Sequence, residues 1–78
     1  MNDQERDSLQ RDLTDALAAL QQNKLVPSLD GLADHLLKLG GPFRFHAALI
    51  RGGMARNDHG VLMGQLIQVL DKLERGVS

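Results

Sequence analysis

One short run, residues 39–45, constrains the fold of this chain more than any other stretch. Its sequence is LGGPFRF. The two glycines supply the left-handed backbone that commonly closes a helix, and the proline after them suits the first position of a new helix. The run also carries the only two aromatic residues of the chain, Phe43 and Phe45. We therefore expect a junction between two helices that holds two bulky rings.

Apolar residues at spacings of three and four predict one amphipathic helix on each side of this junction and two more toward the chain ends. The expected helices span residues 2–22, 28–39, 42–56 and 59–75. The apolar stripes consist of Leu9, Leu13, Ala16, Leu17 and Leu20 in the first helix, Leu29, Leu32, Ala33, Leu36 and Leu37 in the second, and Leu62, Met63, Leu66, Ile67, Leu70 and Leu73 in the last. Many leucines and few β-branched residues favour helices over strands. The sequence predicts an all-α bundle of three to four short helices, with residues 1–78 forming a single domain.

Polar residues mark where these helices begin. Asn2, followed three residues later by Glu5, resembles a capping box. Ser28 can cap the second helix after Pro27, and residues 57–58, Asn and Asp, are potential caps for the last one. Gly52 and Gly53 lie inside the third segment, where the pair either ends the helix or allows another backbone to approach closely. The sequence leaves both alternatives open.

The size of the chain predicts self-association. A domain of 78 residues buries only about 60% of the surface that its unfolded chain exposes. The chain has no cysteine, so neither a disulfide nor a cysteine zinc site can stabilise it. Because its apolar stripes exceed what so small a chain can cover, we expect a homodimer.

The sequence contains no pattern typical of catalysis or of cofactor binding. The three histidines lie on separate predicted elements without metal-ligand spacing, and no nucleophile motif or phosphate-binding loop is present. We therefore predict no catalytic residue, no metal and no cofactor. The formal net charge is -1 and no apolar run approaches a membrane span, so we expect a cytoplasmic protein.

The third segment combines large apolar side chains with arginines, a composition typical of protein–protein interfaces. The residues expected to bind a partner are Phe43, Phe45, Leu49, Arg51 and Met54. Two residues apart on a helix, the two rings cannot easily face the same way, so one of them is expected to make a contact outside the monomer. The sequence thus predicts a non-enzymatic regulator or adaptor, such as an inhibitor, an anti-activator or a chaperone-like protein.

An alternative hypothesis is a dimeric DNA-binding regulator. Residues 28–51 have the outline of a helix-turn-helix, with the third helix as the recognition element. The residues that could contact nucleic acid are Arg44, His46, Arg51 and Arg56. Two features argue against this alternative. The turn is longer than the usual three or four residues, and the recognition helix is largely apolar, whereas a helix that reads base edges presents polar and basic side chains.

Overall fold

Four α-helices and one 3-10 turn make up the fold of the residues described in a computed structural model, which are 2–24 and 28–76. The helices are α1 (Asp3–Gln21), α2 (Ser28–Leu39), α3 (Arg44–Arg56) and α4 (His59–Glu74), and the 3-10 turn (Gly41–Phe43) joins α2 to α3. No strand occurs in this part of the chain. The all-α prediction is confirmed, and the observed helix bounds differ from the expected ones by two residues at most.

Side-chain caps begin two of the helices as predicted. Oδ1 of Asn2 accepts a hydrogen bond from the Glu5 backbone N–H at 2.7 Å, and Oδ1 of Asp58 accepts one from that of Val61 at 3.2 Å. Asn57 does not cap α4; its left-handed backbone, with φ of 54°, closes α3 instead. Ser28, the predicted cap of α2, is the first residue of that helix, and Pro27 before it lies outside the described residues.

The junction after α2 is wound more tightly than expected. Gly40 and Gly41 both have positive φ, 67° and 53°, which agrees with the predicted left-handed closure. Residues 41–43 then form a 3-10 turn, so α3 begins at Arg44 rather than at Pro42. The turn places the Phe43 ring in the core, where it is 1% exposed.

Gly52 and Gly53 do not end α3, which continues to Arg56. Gly53 is buried against α4: a Cβ atom added there would lie 3.0 Å from Cδ2 and 3.1 Å from Cγ of Leu62. A Cβ at Gly52 would meet nothing within 4 Å. Gly53 is therefore closely packed and Gly52 is open. The group that approaches Gly53 is the side chain of Leu62 on α4, not the backbone of α4.

The helices pack in a closed arrangement in which each helix contacts two others: α2 packs on α3, α3 on α4, α4 on α1, and α1 on α2. The core consists of Leu9, Leu13, Ala16, Leu20, Leu29, Leu32, Ala33, Leu36, Phe43, Ala47, Ile50, Leu62, Leu66, Val69 and Leu73. The Cα radius of gyration is 11.4 Å, close to the roughly 11.5 Å expected for a compact chain of this length.

One subunit encloses more of its apolar stripes than the sequence suggested. Among the described residues, the large hydrophobic side chains that remain exposed are Leu37 (42%), Phe45 (67%) and Ile67 (52%). These three lie on α2, α3 and α4 respectively. Few large apolar side chains therefore remain exposed among the described residues, and Phe45 is the most exposed of them.

Candidate partner-binding surface

The two phenylalanines point in opposite directions, as their spacing predicted. Side chains two residues apart on a helix differ by about 200° in direction. With Phe43 enclosed in the core, Phe45 is turned toward solvent. Phe43 was predicted to bind a partner; this is corrected, because a ring that is 1% exposed within its own subunit is not accessible to another protein.

Phe45 belongs to a stripe that we call the α3 outer face, formed by Phe45, Ala48, Leu49, Gly52 and Arg56. Spacings of three and four place these residues on one side of the helix. Phe45, Ala48 and Arg56 are exposed, while Leu49 and Gly52 are partly buried. The stripe is therefore apolar from Phe45 to Gly52, with small residues at positions 48 and 52 and an arginine at its C-terminal end.

The other two residues predicted to bind a partner lie away from this face. Met54 is nine residues beyond Phe45, about 180° around the helix, and packs partly buried against the core. Arg51 faces α2, where its guanidinium lies 3.5 Å from a carboxylate oxygen of Asp34 and 4.0 Å from one of Asp30. The structure thus brings together Phe45 and Leu49, and separates them from Met54 and Arg51.

His46, next to Phe45, is buried in a polar cluster that the sequence interpretation missed. The residue is 2% exposed. Its Nδ1 lies 2.6 Å from Oε1 of Gln65, and its Nε2 lies 2.7 Å from Nζ of Lys72. Nζ of Lys72 also donates to the carbonyl oxygen of Pro42 at 3.1 Å. These contacts link the first turn of α3 to α4 and to the 3-10 turn.

The partners of His46 fix its hydrogen-bonding roles. An amide oxygen accepts, so Nδ1 carries the proton; an ammonium group only donates, so Nε2 of the imidazole accepts. A proton on Nε2 would place two donors face to face at 2.7 Å, so in this arrangement Nε2 accepts from Lys72. The predicted nucleic-acid contact of His46 is corrected, since both ring nitrogens are occupied inside the subunit. Its position three residues after Phe43 and four before Ile50 was the signal that it lies on the buried face.

Two arginines at the ends of α3 remain exposed. No carboxylate within residues 2–24 and 28–76 lies within 4.0 Å of Arg44 or Arg56, whereas Arg51 is paired. Helix α3 itself contains no acidic residue. Of the four residues predicted to contact nucleic acid, only these two are exposed and make no ion pair with another described residue.

The remaining histidines do not form a site with the surface on α3. Nε2 of His35 lies 3.3 Å from a carboxylate oxygen of Glu5 and thereby connects α2 to α1. Nδ1 of His59, at the first residue of α4, is buried without a hydrogen-bond partner in the described structure. Nowhere in the described ranges do three or more potential ligands gather around a common point. Within these ranges, every helix is also too short or too polar to cross a lipid bilayer.

Comparison of the chain with protein-family models, with curated proteins and with solved structures gave no match.

Proposed function

We propose that this chain is a non-enzymatic regulatory or adaptor protein that binds another protein through the α3 outer face. The observation that carries the proposal is the exposure of Phe45, which is 67% accessible although the rest of the large apolar side chains on its helix pack at least partly inward. A phenylalanine side chain presents roughly 200 Å² of surface, so about 130 Å² of ring surface faces solvent here. Burial of that area in an interface would be favourable.

The surroundings of Phe45 support a role as an anchor residue. Aromatic anchors contribute much of the binding free energy in protein interfaces, and they do so best when little conformational freedom is lost on binding. The neighbouring His46 is fixed to α4 through Gln65 and Lys72, and its ring meets that of Phe45 edge to face at a centroid distance of 6.0 Å. The backbone that presents Phe45 is therefore held on a rigid part of the fold.

The class of regulation stays a prediction. An inhibitor, an anti-activator and a chaperone-like adaptor would all use such a surface, and cytoplasmic location is likewise a prediction of the sequence. The proposal of a homodimer is also retained for testing, with the exposed apolar residues of α2, α3 and α4 as the surfaces available to it. The DNA-binding alternative is not carried further, because Arg51 is paired and His46 is buried.

The test compares proteins captured from the source cell by the tagged wild-type chain, by the F45D variant and by the I67D variant. Ile67 is a matched control, since it is a large exposed apolar residue on a different helix. We expect F45D to lose a partner that wild type and I67D both retain, as measured by quantitative mass spectrometry. Equal capture by F45D and wild type would refute the proposal.

Sedimentation equilibrium of the same three proteins at micromolar concentration tests the homodimer. A dimer that persists in F45D would place self-association on another face. A dimer that only F45D disrupts would show that the α3 outer face binds a second copy. A circular-dichroism spectrum and melting temperature equal to wild type would establish that each variant is folded.

A further inference from the structure

We infer that the segment docking on the α3 outer face is an amphipathic helix of another protein that carries acidic residues on either side of its apolar stripe. This inference rests on the proposed function, since it names the partner of the same surface. Three features support it: the basic charge of α3, the shape of its outer face, and the like charges that two copies of this face would bring together.

The charge of α3 is wholly basic. Its three ionisable residues other than histidine are Arg44, Arg51 and Arg56, and Arg51 is paired with carboxylates of α2. Arg44 and Arg56 are left without a carboxylate partner among the described residues. They are twelve residues apart, which is about 18 Å along the helix and, at about 100° per residue, about 120° around it. A helix of three to four turns that lies along the outer face would therefore pass over Arg56 and have Arg44 at one edge.

Arg44 also lies where a cation does not stabilise its own helix. The N-terminal end of a helix carries partial positive charge, so an arginine in the first turn is unfavourable. Arg44 makes no ion pair with a described residue that would offset this cost. A carboxylate supplied by a partner at this end of α3 would meet both the guanidinium and the positive end of the helix.

The shape of the α3 outer face suits a helix. Gly52 and Ala48 have little or no side chain, and a Cβ at Gly52 would meet nothing within 4 Å. Phe45 stands at one end of this shallow stretch and Arg56 at the other. Small residues between larger ones allow a second helix axis to approach to the 8–10 Å typical of helix packing.

A second copy of this chain fits the same face less well. In a two-fold symmetric interface a surface patch meets itself. Parallel pairing of two α3 helices would place each arginine against its counterpart, and antiparallel pairing would place Arg44 of one copy near Arg56 of the other. Both arrangements bring the arginines of the two α3 helices together, and α3 itself has no acidic residue to offset them. Charge complementarity therefore favours a different, acidic chain.

The experiment uses the full-length protein and three synthetic helices of eighteen residues. The helices share one leucine stripe, and the positions that flank it are all Glu, all Gln or all Lys. Binding is measured by titration of the ¹⁵N-labelled protein, with the amides of residues 44–56 as reporters. We expect the Glu helix to bind about three- to tenfold more tightly than the Gln helix, as two solvent-exposed ion pairs allow, and the Lys helix to bind most weakly.

Two variants locate the effect. R44Q/R56Q should bind the Glu and Gln helices equally, and F45S should weaken all three helices alike. At 1 M salt, where the Debye length is about 3 Å, the wild-type preference for Glu should disappear. A Glu helix that binds no better than the Gln helix, a preference that survives in R44Q/R56Q, or the absence of binding by all three would each overturn the inference. Capture of a Phe45-dependent partner whose docking segment is not acidic would overturn the inference alone and leave the proposed function standing.

Discussion

Gly52 and Gly53 offer a matched pair of substitutions that tests the packing of α3 on α4. Both glycines lie in the interior of the same helix, where alanine is favoured over glycine by about 0.5–1 kcal/mol. At Gly52 the new methyl group would meet no atom within 4 Å, so G52A should increase the free energy of unfolding by that amount. At Gly53 the same methyl group would lie 3.0 and 3.1 Å from two carbons of Leu62 and 3.4 Å from Cγ1 of Val61.

The cost at Gly53 follows from the position of Leu62, which is 0% exposed. A fully buried side chain can move aside only by displacing its neighbours, and such overpacking costs about 1–3 kcal/mol. After the gain in helix propensity is subtracted, G53A should lower the free energy of unfolding by about 1 kcal/mol. The two variants should therefore differ by about 2 kcal/mol, which for a domain of this size corresponds to a difference of about 8–16 °C in melting temperature.

Urea denaturation followed by circular dichroism measures the free energy of unfolding of both variants under the same conditions. An equal dependence of this free energy on urea concentration would indicate that the unfolded states are comparable. A third variant, L62V, removes the carbon nearest to the new methyl group. In the L62V background the penalty of G53A should shrink, as a double-mutant cycle would reveal. If G53A proved as stable as G52A, the close contact between α3 and α4 would not constrain position 53, and the argument would be refuted.

Two further substitutions test the polar contacts. K72M keeps an unbranched side chain, one atom shorter than lysine, and removes the ammonium group that donates to Nε2 of the buried His46. It should lower the free energy of unfolding by about 1–3 kcal/mol. K38M, which removes only an exposed ion pair, should change it by less than about 0.5 kcal/mol. D58A removes the N-cap of α4 and should cost about 1 kcal/mol in the same urea assay. A K72M variant as stable as K38M would contradict the assigned hydrogen bonds, and a D58A variant as stable as wild type would contradict the cap.

The elements that the sequence predicted are those determined by local patterns. Apolar spacing identified all four helices, and short polar signals identified the caps at Asn2 and Asp58. The two glycines at 40 and 41 identified the junction because few other residues tolerate positive φ. Each of these features depends on residues within a few positions of one another, so one sequence suffices to recognise it.

The features that the sequence did not predict depend on residues distant in the chain. His46, a predicted candidate for nucleic-acid contact, is buried, and its partners Gln65 and Lys72 lie nineteen and twenty-six positions away. Arg51 was expected to face a partner, and its position is explained by carboxylates on the preceding helix. A polar side chain on an apolar face can be buried only if other elements supply its hydrogen bonds, and apolar periodicity carries no information about them.

The exposure of Phe45, rather than the total apolar content of the chain, supports a partner-binding role. The apolar content predicts that one subunit cannot enclose its hydrophobic side chains, but Phe43 and the buried leucines of α4 are enclosed. Total apolar content therefore does not require association. A stable interface buries about 800 Å² on each partner, several times the roughly 130 Å² of exposed Phe45 ring. A permanent dimer built on exposed hydrophobic side chains would thus have to bury much polar surface as well. The proposed binding of a helix that associates and dissociates requires less: one rigid ring beside small residues, with two arginines that have no carboxylate partner among the described residues.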